Sequence, residues 1–170
     1  MKLLKIGHLA FVCQDLAAVS AFYRDKLGFA YKFSLTYADQ LAMNLAQAEK
    51  AGETPDPEMV ARLTARKDKT WIAYFEFGEG QFVELFDGGG ATIPAVPTWN
   101  HFNYNHVALL VDDIFAAERD LRAKGVPIDE APKLGPDQTW QMWSHDPEGN
   151  RIEFMQYTDK SWQLVGRSEG

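Results

Sequence analysis

The sequence predicts an α+β fold of two tandem βαβββ modules, with a helical insertion in the first module. Two observations lead to this fold. Residues 8–26 match residues 106–124 at a constant offset of 98, so the chain contains an internal repeat. Residues 79–86, EGQFVELF, match residues 148–155, EGNRIEFM, at an offset of 69, which predicts a shared strand at the end of each module.

Each module is predicted to begin with a short strand and a capped helix. Residues 5–12 and 104–111 are apolar runs that precede an acidic residue, as is typical of buried strands. Asp15 and Asp113 are the predicted N-caps, because a carboxylate accepts hydrogen bonds from the unpaired amides of a first helical turn. Each helix is expected to end at the glycine that follows, since glycine readily adopts the left-handed conformation.

Three further strands are expected to complete each module. The turn at residues 146–150, DPEGN, has strong turn-forming chemistry and precedes the last strand. The predicted strands cover residues 29–36, 71–78 and 81–87 in the first module, and residues 127–132, 138–144 and 150–157 in the second.

The first module is longer because of an insertion at about residues 38–69. Apolar residues recur there at helical spacing, and Asp56-Pro57 is a typical helix start, with an N-cap followed by proline in the first turn. The segment contains no histidine or cysteine. We predict a helical hairpin that covers the site or contacts a partner chain, and a surface insertion without a role is the alternative.

The domain boundaries follow from the repeat and from the segment between its copies. Three consecutive glycines followed by two prolines mark a linker there. We predict one domain overall, composed of a first module at residues 1–87, a linker at 88–103, a second module at 104–158 and a C-terminal tail at 159–170.

Composition and charge exclude several classes of function. The 170 residues are 46% hydrophobic and 24% charged, which is typical of a soluble globular protein, and no apolar run reaches the roughly 18 residues of a membrane span. A net charge of −7 argues against binding to nucleic acid or to anionic membranes. The single cysteine, Cys13, precludes an intrachain disulfide, and Lys5 interrupts the apolar N-terminus too early for a signal peptide. We therefore expect a cytoplasmic protein.

Two histidines and two glutamates occupy equivalent positions in the two copies. His8 and His106 align in the first strands, and Glu84 and Glu153 align in the last strands. Apolar residues flank both glutamates, so their carboxylates are predicted to be buried. A buried carboxylate is costly unless it is protonated, paired with a cation or bound to a metal. For Glu153, Arg151 on the same strand face is an alternative partner.

A pseudo-twofold relation between the copies would bring these four side chains together. Two imidazoles and two carboxylates suit a divalent first-row metal, with one or two positions left open for water or substrate. We predict one divalent ion, which could be Ni, Co, Zn, Mn or Fe(II), and a small-molecule substrate.

Five stretches of the sequence carry a family resemblance: residues 7–10 (GHLA), 22–29 (FYRDKLGF), 83–85 (VEL), 105–108 (NHVA) and 146–153 (DPEGNRIE). Through them the chain resembles the vicinal oxygen chelate superfamily, which includes glyoxalase I, bleomycin resistance proteins and extradiol dioxygenases. The resemblance implies paired βαβββ modules that form incomplete barrels with the metal inside. It also implies that the two histidines and two glutamates are the metal ligands, and it makes a homodimer plausible.

The resemblance further implies a reaction. Members of the family polarise a substrate carbonyl with the metal and stabilise an enediolate, while a carboxylate moves a proton at the adjacent carbon. Glu153 is the first candidate for that base and Glu84 the second. Gly88 and Val12 stand where glyoxalase I has the Asn and Arg that contact glutathione. We therefore predict a metal-dependent lyase or isomerase that acts on a small carbonyl or α-hydroxycarbonyl compound without glutathione.

Two other functions are alternatives. An extradiol-type dioxygenase would bind iron(II) through two histidines and one carboxylate, and Glu84 as a fourth ligand would crowd its open positions. A non-enzymatic antibiotic-binding protein is the other alternative, but such members generally lack the metal ligands.

Four more side chains carry weaker hypotheses. Trp140 and Met142 lie on a strand predicted to pair with the Glu153 strand, so they are candidates for contact with substrate, with core packing as the alternative. His101 and His145 are interpreted as surface or turn histidines, although either could contact substrate at the mouth of a cavity.

Overall fold

The fold is described from a computed structural model, for residues 5–90 and 105–166. The chain divides into two compact units, and the described residues fall into them as 5–90 and 105–166. Most of the predicted linker, including His101, lies outside the described residues. None of the described helices is both long enough and apolar enough to cross a membrane.

The first unit contains a four-stranded sheet with the strand order β1-β4-β3-β2. Its first and last strands, β1 and β4, pair in parallel, and the other two pairings are antiparallel. The elements are β1 (His8–Cys13), α1 (Leu16–Ala21), β2 (Ala30–Thr36), α2 (Tyr37–Ala51), α3 (Pro57–Thr64), β3 (Thr70–Gly78) and β4 (Gln81–Asp87).

The second unit repeats this arrangement with the strand order β5-β8-β7-β6. Here β5 and β8 pair in parallel, and the remaining pairings are antiparallel. The elements are β5 (Val107–Leu110), α4 (Ile114–Ala123), β6 (Ile128–Leu134), β7 (Trp140–His145), β8 (Arg151–Gln156) and α5 (Trp162–Val165). The predicted fold of two βαβββ modules is confirmed, and neither sheet closes into a barrel within the described residues.

The predicted N-caps are confirmed in both units. The Asp15 carboxylate accepts a hydrogen bond from the Ala18 amide, and the Asp113 carboxylate accepts from two amides of α4. The first helix differs from the prediction in one respect, because α1 continues into a π-helical segment at Phe22–Lys26. This segment buries two consecutive aromatic side chains, Phe22 and Tyr23, against the core.

The insertion forms two helices, as predicted. Asp56 caps α3 with Pro57 in its first turn, and Thr36 and Asp39 form a capping box at the start of α2. Tyr37, the first residue of α2, and Arg66, which follows α3, connect the two helices to the sheet. The Tyr37 hydroxyl and the Arg66 guanidinium donate hydrogen bonds to the same oxygen of Asp87 at the end of β4, at 3.0 and 2.6 Å.

The two faces of each sheet differ in burial. In the first unit, Phe75, Val83 and Leu85 are almost fully buried, and α1 packs against β4 on the same sheet. In the second unit, Met142 and Ile152 are fully buried in the same way. Because side chains alternate along a strand, Glu84 and Glu153 lie on the opposite face of their sheets from these core residues.

Candidate functional site

In the first unit, the parallel pairing of β1 and β4 brings His8 and Glu84 together. Glu84 is the ladder partner of Ala10, two residues after His8 on the same strand face. The His8 Nδ1 atom lies 3.2 Å from the Glu84 Oε1 atom. The His8 side chain is about half exposed, whereas the Glu84 side chain is only 14% exposed.

The second unit contains an equivalent pair. Glu153 on β8 is the ladder partner of Ala108 on β5, and His106 immediately precedes β5. The His106 Nε2 atom lies 3.1 Å from the Glu153 Oε2 atom, and the two side chains are 31% and 11% exposed. The structure thus brings the predicted residues together as one His–Glu pair in each unit. Within either unit, the described residues contain no group of three His, Cys, Asp or Glu side chains that could hold a metal ion.

The surroundings of His106 constrain what can lie against its ring. The His106 Nδ1 atom lies 2.7 Å from the Asn105 Oδ1 atom, so Nδ1 carries the proton that this hydrogen bond requires. The other nitrogen, Nε2, then faces an oxygen of Glu153, which only accepts hydrogen bonds when it is ionised. A proton on one of these two atoms, or a cation beside them, would satisfy the contact between Nε2 and the carboxylate. The donor chemistry of this pair therefore fits a bound divalent ion.

Burial shapes the electrostatics of Glu153. Desolvation raises the pKa of the Glu153 carboxyl, the nearby charge and hydrogen bond of His106 lower it in part, and the charge of Asp137 raises it further. Arg151 is engaged elsewhere: its guanidinium lies 3.7 Å from the centre of the Trp143 ring and 3.7 Å from the Glu130 carboxylate. Among the described residues, His106 makes the ion-pair contact with Glu153, and the charge of Arg151, the alternative partner, adds only a smaller lowering of the Glu153 pKa.

Residues 5–154 match the family model of the Glyoxalase/Bleomycin resistance protein/Dioxygenase superfamily. The chain belongs to this superfamily. No protein of curated function matches its sequence.

Solved structures of the superfamily share this fold. A lactoylglutathione lyase from Agrobacterium tumefaciens is 20% identical with a TM-score of 0.57, over 94% of this chain and 97% of that one. A superfamily member from Sphaerobacter thermophilus is also 20% identical with a TM-score of 0.57, over 91% and 98% of the two chains. The antibiotic binding protein TnmS3 from a Streptomyces species is 17% identical with a TM-score of 0.55, over 93% and 99%. At these identities the likeness shows the fold alone.

Sequence reasoning missed an aromatic residue beside each glutamate of this superfamily member. Tyr74 on β3 is the ladder partner of Glu84, and Trp143 on β7 is the ladder partner of Glu153. Burial and the charge of Glu84 raise the pKa of the Tyr74 hydroxyl. The Trp143 ring meets the His106 ring edge-on, with ring centres 4.8 Å apart. The signal was present, because the offset of 69 that aligns the glutamates also aligns Tyr74 with Trp143.

The two proposed substrate contacts on β7 lie on the other face of the sheet. Met142 is fully buried, and the Trp140 ring packs edge-on against Phe115 of α4, with ring centres 5.0 Å apart. Because side chains alternate along β7, Trp143 is the residue that lies on the same face as Glu153. His145, the last residue of β7, lies 2.9 Å from the carboxylate of Asp129.

A separate cleft of about 370 Å³ opens on the helix side of the first sheet. Leu16 and Ser20 of α1, Tyr31 of β2 and Phe75 of β3 are among its lining residues. Because Phe75 and Glu84 lie on opposite faces of the sheet, this cleft is not continuous with the His8–Glu84 pair.

Proposed function

We propose that this chain is a divalent-metal-dependent lyase or isomerase that acts on a small carbonyl or α-hydroxycarbonyl compound without glutathione. One observation carries the proposal: both units hold an imidazole nitrogen close to a carboxylate oxygen, at 3.2 and 3.1 Å, in repeat-equivalent positions. The pairing recurs at the same ladder position in both units, since Glu84 lies opposite Ala10 and Glu153 opposite Ala108.

The donor set supports a divalent ion held by both pairs. His8, Glu84, His106 and Glu153 supply nitrogen and oxygen donors of the kind that first-row divalent metals prefer. The Asn105 oxygen near His106 Nδ1 is the sort of partner that fixes the tautomer and orientation of a ligating imidazole. When bound, the ion would supply Lewis-acid polarisation of the substrate carbonyl.

Glu153 is the general base in this proposal, and Glu84 is the second candidate. Burial raises the pKa of Glu153, so its carboxylate takes up a proton more readily than a free carboxylate does. The Glu153 Oε2 atom would accept the proton from the carbon beside the substrate carbonyl and return it to the neighbouring carbon. The hydroxyl proton of an α-hydroxycarbonyl substrate would pass to the former carbonyl oxygen by exchange with solvent water, so Glu153 would carry only the carbon-bound proton.

Small residues beside the two glutamates leave room for a substrate. Ala10 and Ala108 are the parallel-strand partners of Glu84 and Glu153, and both are exposed. A methyl group at each position adds little bulk beside the His–Glu pair, and about half of the His8 side chain is exposed.

Proton exchange tests the proposed reaction directly. We would incubate the metal-loaded protein with hydroxyacetone in deuterated water and follow the loss of its methylene signal by proton NMR. Wild type should catalyse this exchange, and Glu153→Gln should abolish it because an amide cannot take up the proton. Glu76→Gln is the control for the loss of a carboxylate, since Glu76 lies on the Glu84 face of the first sheet but is paired with Lys32 at 2.6 Å.

The outcomes are distinct. Exchange by wild type and by Glu76→Gln, together with its loss in Glu153→Gln, would support the assigned base. Exchange by Glu153→Gln at the wild-type rate would remove Glu153 from that role. Uptake of oxygen with a catechol, in place of proton exchange, would favour the iron(II) dioxygenase instead.

A further inference from the structure

We propose that the first unit binds an aryl group of the substrate on a shelf formed by Phe33 and Tyr74, so that aryl-substituted carbonyl compounds are preferred. The inference deepens the proposed function and depends on it for the place of the reacting carbonyl. The shelf itself lies within the first unit and is defined by its own contacts.

The shelf consists of two stacked rings beside the candidate carboxylate. Phe33 on β2 and Tyr74 on β3 are ladder partners, and their ring centres lie 4.2 Å apart with an angle of 17° between the ring planes. Tyr74 is in turn the ladder partner of Glu84. Phe33 therefore lies two strands from Glu84, at roughly 10 Å for strands about 4.8 Å apart. This distance spans an aryl ring and the carbonyl attached to it.

A β-bulge directs Phe33 to this face. Tyr31 pairs with Phe75, whereas Phe33 pairs with Tyr74, so two steps along β2 correspond to one step along β3. The Tyr31 ring meets the Phe75 ring on the helix side, with ring centres 5.7 Å apart. In a regular strand Phe33 would share that face with Tyr31. Bulges commonly redirect a side chain next to a functional site, and this one leaves a 47% exposed phenylalanine on the Glu84 side.

Other apolar side chains lie on the same sheet face as the shelf. Val12 on β1 is 55% exposed there, two positions beyond Ala10. Phe82 and Phe86 flank Glu84 on β4 and share its face because side chains alternate. The nearest cation on β2, Lys32, is paired with Glu76. Such a surface favours a neutral aromatic group over an anionic one, because Lys32, already paired with Glu76, is not free to offset the desolvation of a negative charge.

In the second unit, residues 105–166 contain no equivalent shelf. Its β6–β7 ladder places Glu130 opposite Trp143, where the first unit has Phe33 opposite Tyr74. The guanidinium of Arg151 lies 3.7 Å above the Trp143 ring and occupies the surface on which an aryl group would stack. Among the described residues, the aromatic shelf occurs only in the first unit. The fold shared by both units therefore does not require it.

The test compares two α-hydroxyketones that differ in one substituent. α-Hydroxyacetophenone carries a phenyl group where hydroxyacetone carries a methyl group. Binding of each would be measured by saturation-transfer NMR and calorimetry, in EDTA and again after metal loading. Wild type should bind the phenyl compound at least tenfold more tightly than the methyl compound under both conditions. Phe33→Ala and Phe33→Leu should each lose most of this preference, because leucine retains apolar area but cannot stack.

Tyr31→Ala is the matched control, because Tyr31 is a similarly exposed aromatic residue of the same strand on the opposite face. It should keep the wild-type preference, and thermal unfolding of each variant should show that it is folded. Equal binding of the two ketones by wild type, absence of binding by either, or an undiminished preference in both Phe33 variants would overturn the shelf. If wild type prefers the phenyl ketone but binds no metal, the shelf is supported and the proposed metal-dependent function is contradicted. If wild type binds metal but binds the two ketones equally, the shelf is contradicted while the proposed function stands.

Discussion

Tyr74 lies directly opposite Glu84 on the antiparallel β3–β4 ladder, and burial together with the charge of Glu84 raises the pKa of its hydroxyl. The repeat places Trp143 opposite Glu153 in the same way. Each candidate carboxylate therefore has on one side the strand that begins at or just after its histidine, and on the other side an aromatic side chain. An aromatic neighbour keeps water from one side of the carboxylate, which strengthens its interaction with a cation.

Asn105 is expected to orient His106 for metal binding. Asn105→Ala removes the oxygen 2.7 Å from His106 Nδ1 and should weaken metal affinity about tenfold or more, as loss of such partners typically does. Asn105→Asp retains an acceptor oxygen and should stay close to wild type. Competition with a chelating dye measures both affinities, and equal affinities for wild type and Asn105→Ala would contradict this role.

Asp87 is expected to hold the helical insertion against the sheet. Asp87→Asn leaves the Arg66 guanidinium, whose side chain is 24% exposed, without a counter-charge and weakens the hydrogen bond from Tyr37. The free energy of unfolding should fall by about 1–3 kcal/mol, measured by urea denaturation. Asp25→Asn is the control, since the exposed Arg24–Asp25 pair should contribute nothing measurable. Equal stability of the two variants would show that the Asp87 anchor is dispensable.

Asp137 is expected to make stability depend on acid pH. Burial would raise the pKa of Asp137, but hydrogen bonds donated by Gln163 and Thr139 outweigh it and lower the pKa below the usual value. A carboxyl with a lowered native pKa stabilises the fold above its unfolded pKa of about 3.9, and this contribution is lost as the pH falls through the native pKa. Asp137→Asn should therefore be less stable than wild type at pH 7, and the difference should shrink as the pH falls below about 4. A constant difference down to acid pH, in urea titrations, would contradict the assignment.

Met142 and Trp143 should separate stability from function, because adjacent residues of β7 face opposite ways. Met142→Ala removes a fully buried side chain and should lower the free energy of unfolding by about 2–5 kcal/mol. Trp143→Ala removes the ring against His106 and should mainly weaken metal binding, with a smaller loss of stability. Thermal unfolding and metal titration of both variants check this, and a reversed pattern would mean that the faces are assigned wrongly.

Local chemistry made much of the fold predictable. Asp15, Asp113 and Asp56 each cap a helix through a hydrogen bond to an amide of the first turn, a requirement that depends only on neighbouring residues. The His–Glu pairs were predictable for a different reason. The repeat gave their equivalence, and the parallel pairing of the first and last strands of each module then brought their members into contact.

The face on which a side chain lies was harder to predict. The bulge between Tyr31 and Phe33 reverses the alternation of β2 and depends on pairing with β3, which no local pattern in β2 encodes. For Trp140 the strand is predictable from the sequence but the face is not, since contact with Phe115 of α4 depends on tertiary packing. Arg151 is an alternative partner for Glu153 by sequence because the two share a face, but its guanidinium lies over the Trp143 ring.

The central claim is that the two His–Glu pairs bind one divalent ion together, and metal content measured by elemental analysis tests it most directly. Wild type, Glu84→Gln, Glu153→Gln and the control Glu76→Gln would each be incubated with nickel, cobalt, zinc, manganese or iron(II) and then desalted. The account predicts close to one ion per chain in wild type and in Glu76→Gln, with a marked loss in both Glu84→Gln and Glu153→Gln, although they lie in different units. No bound metal in wild type, or a loss confined to one of these two variants, would contradict it.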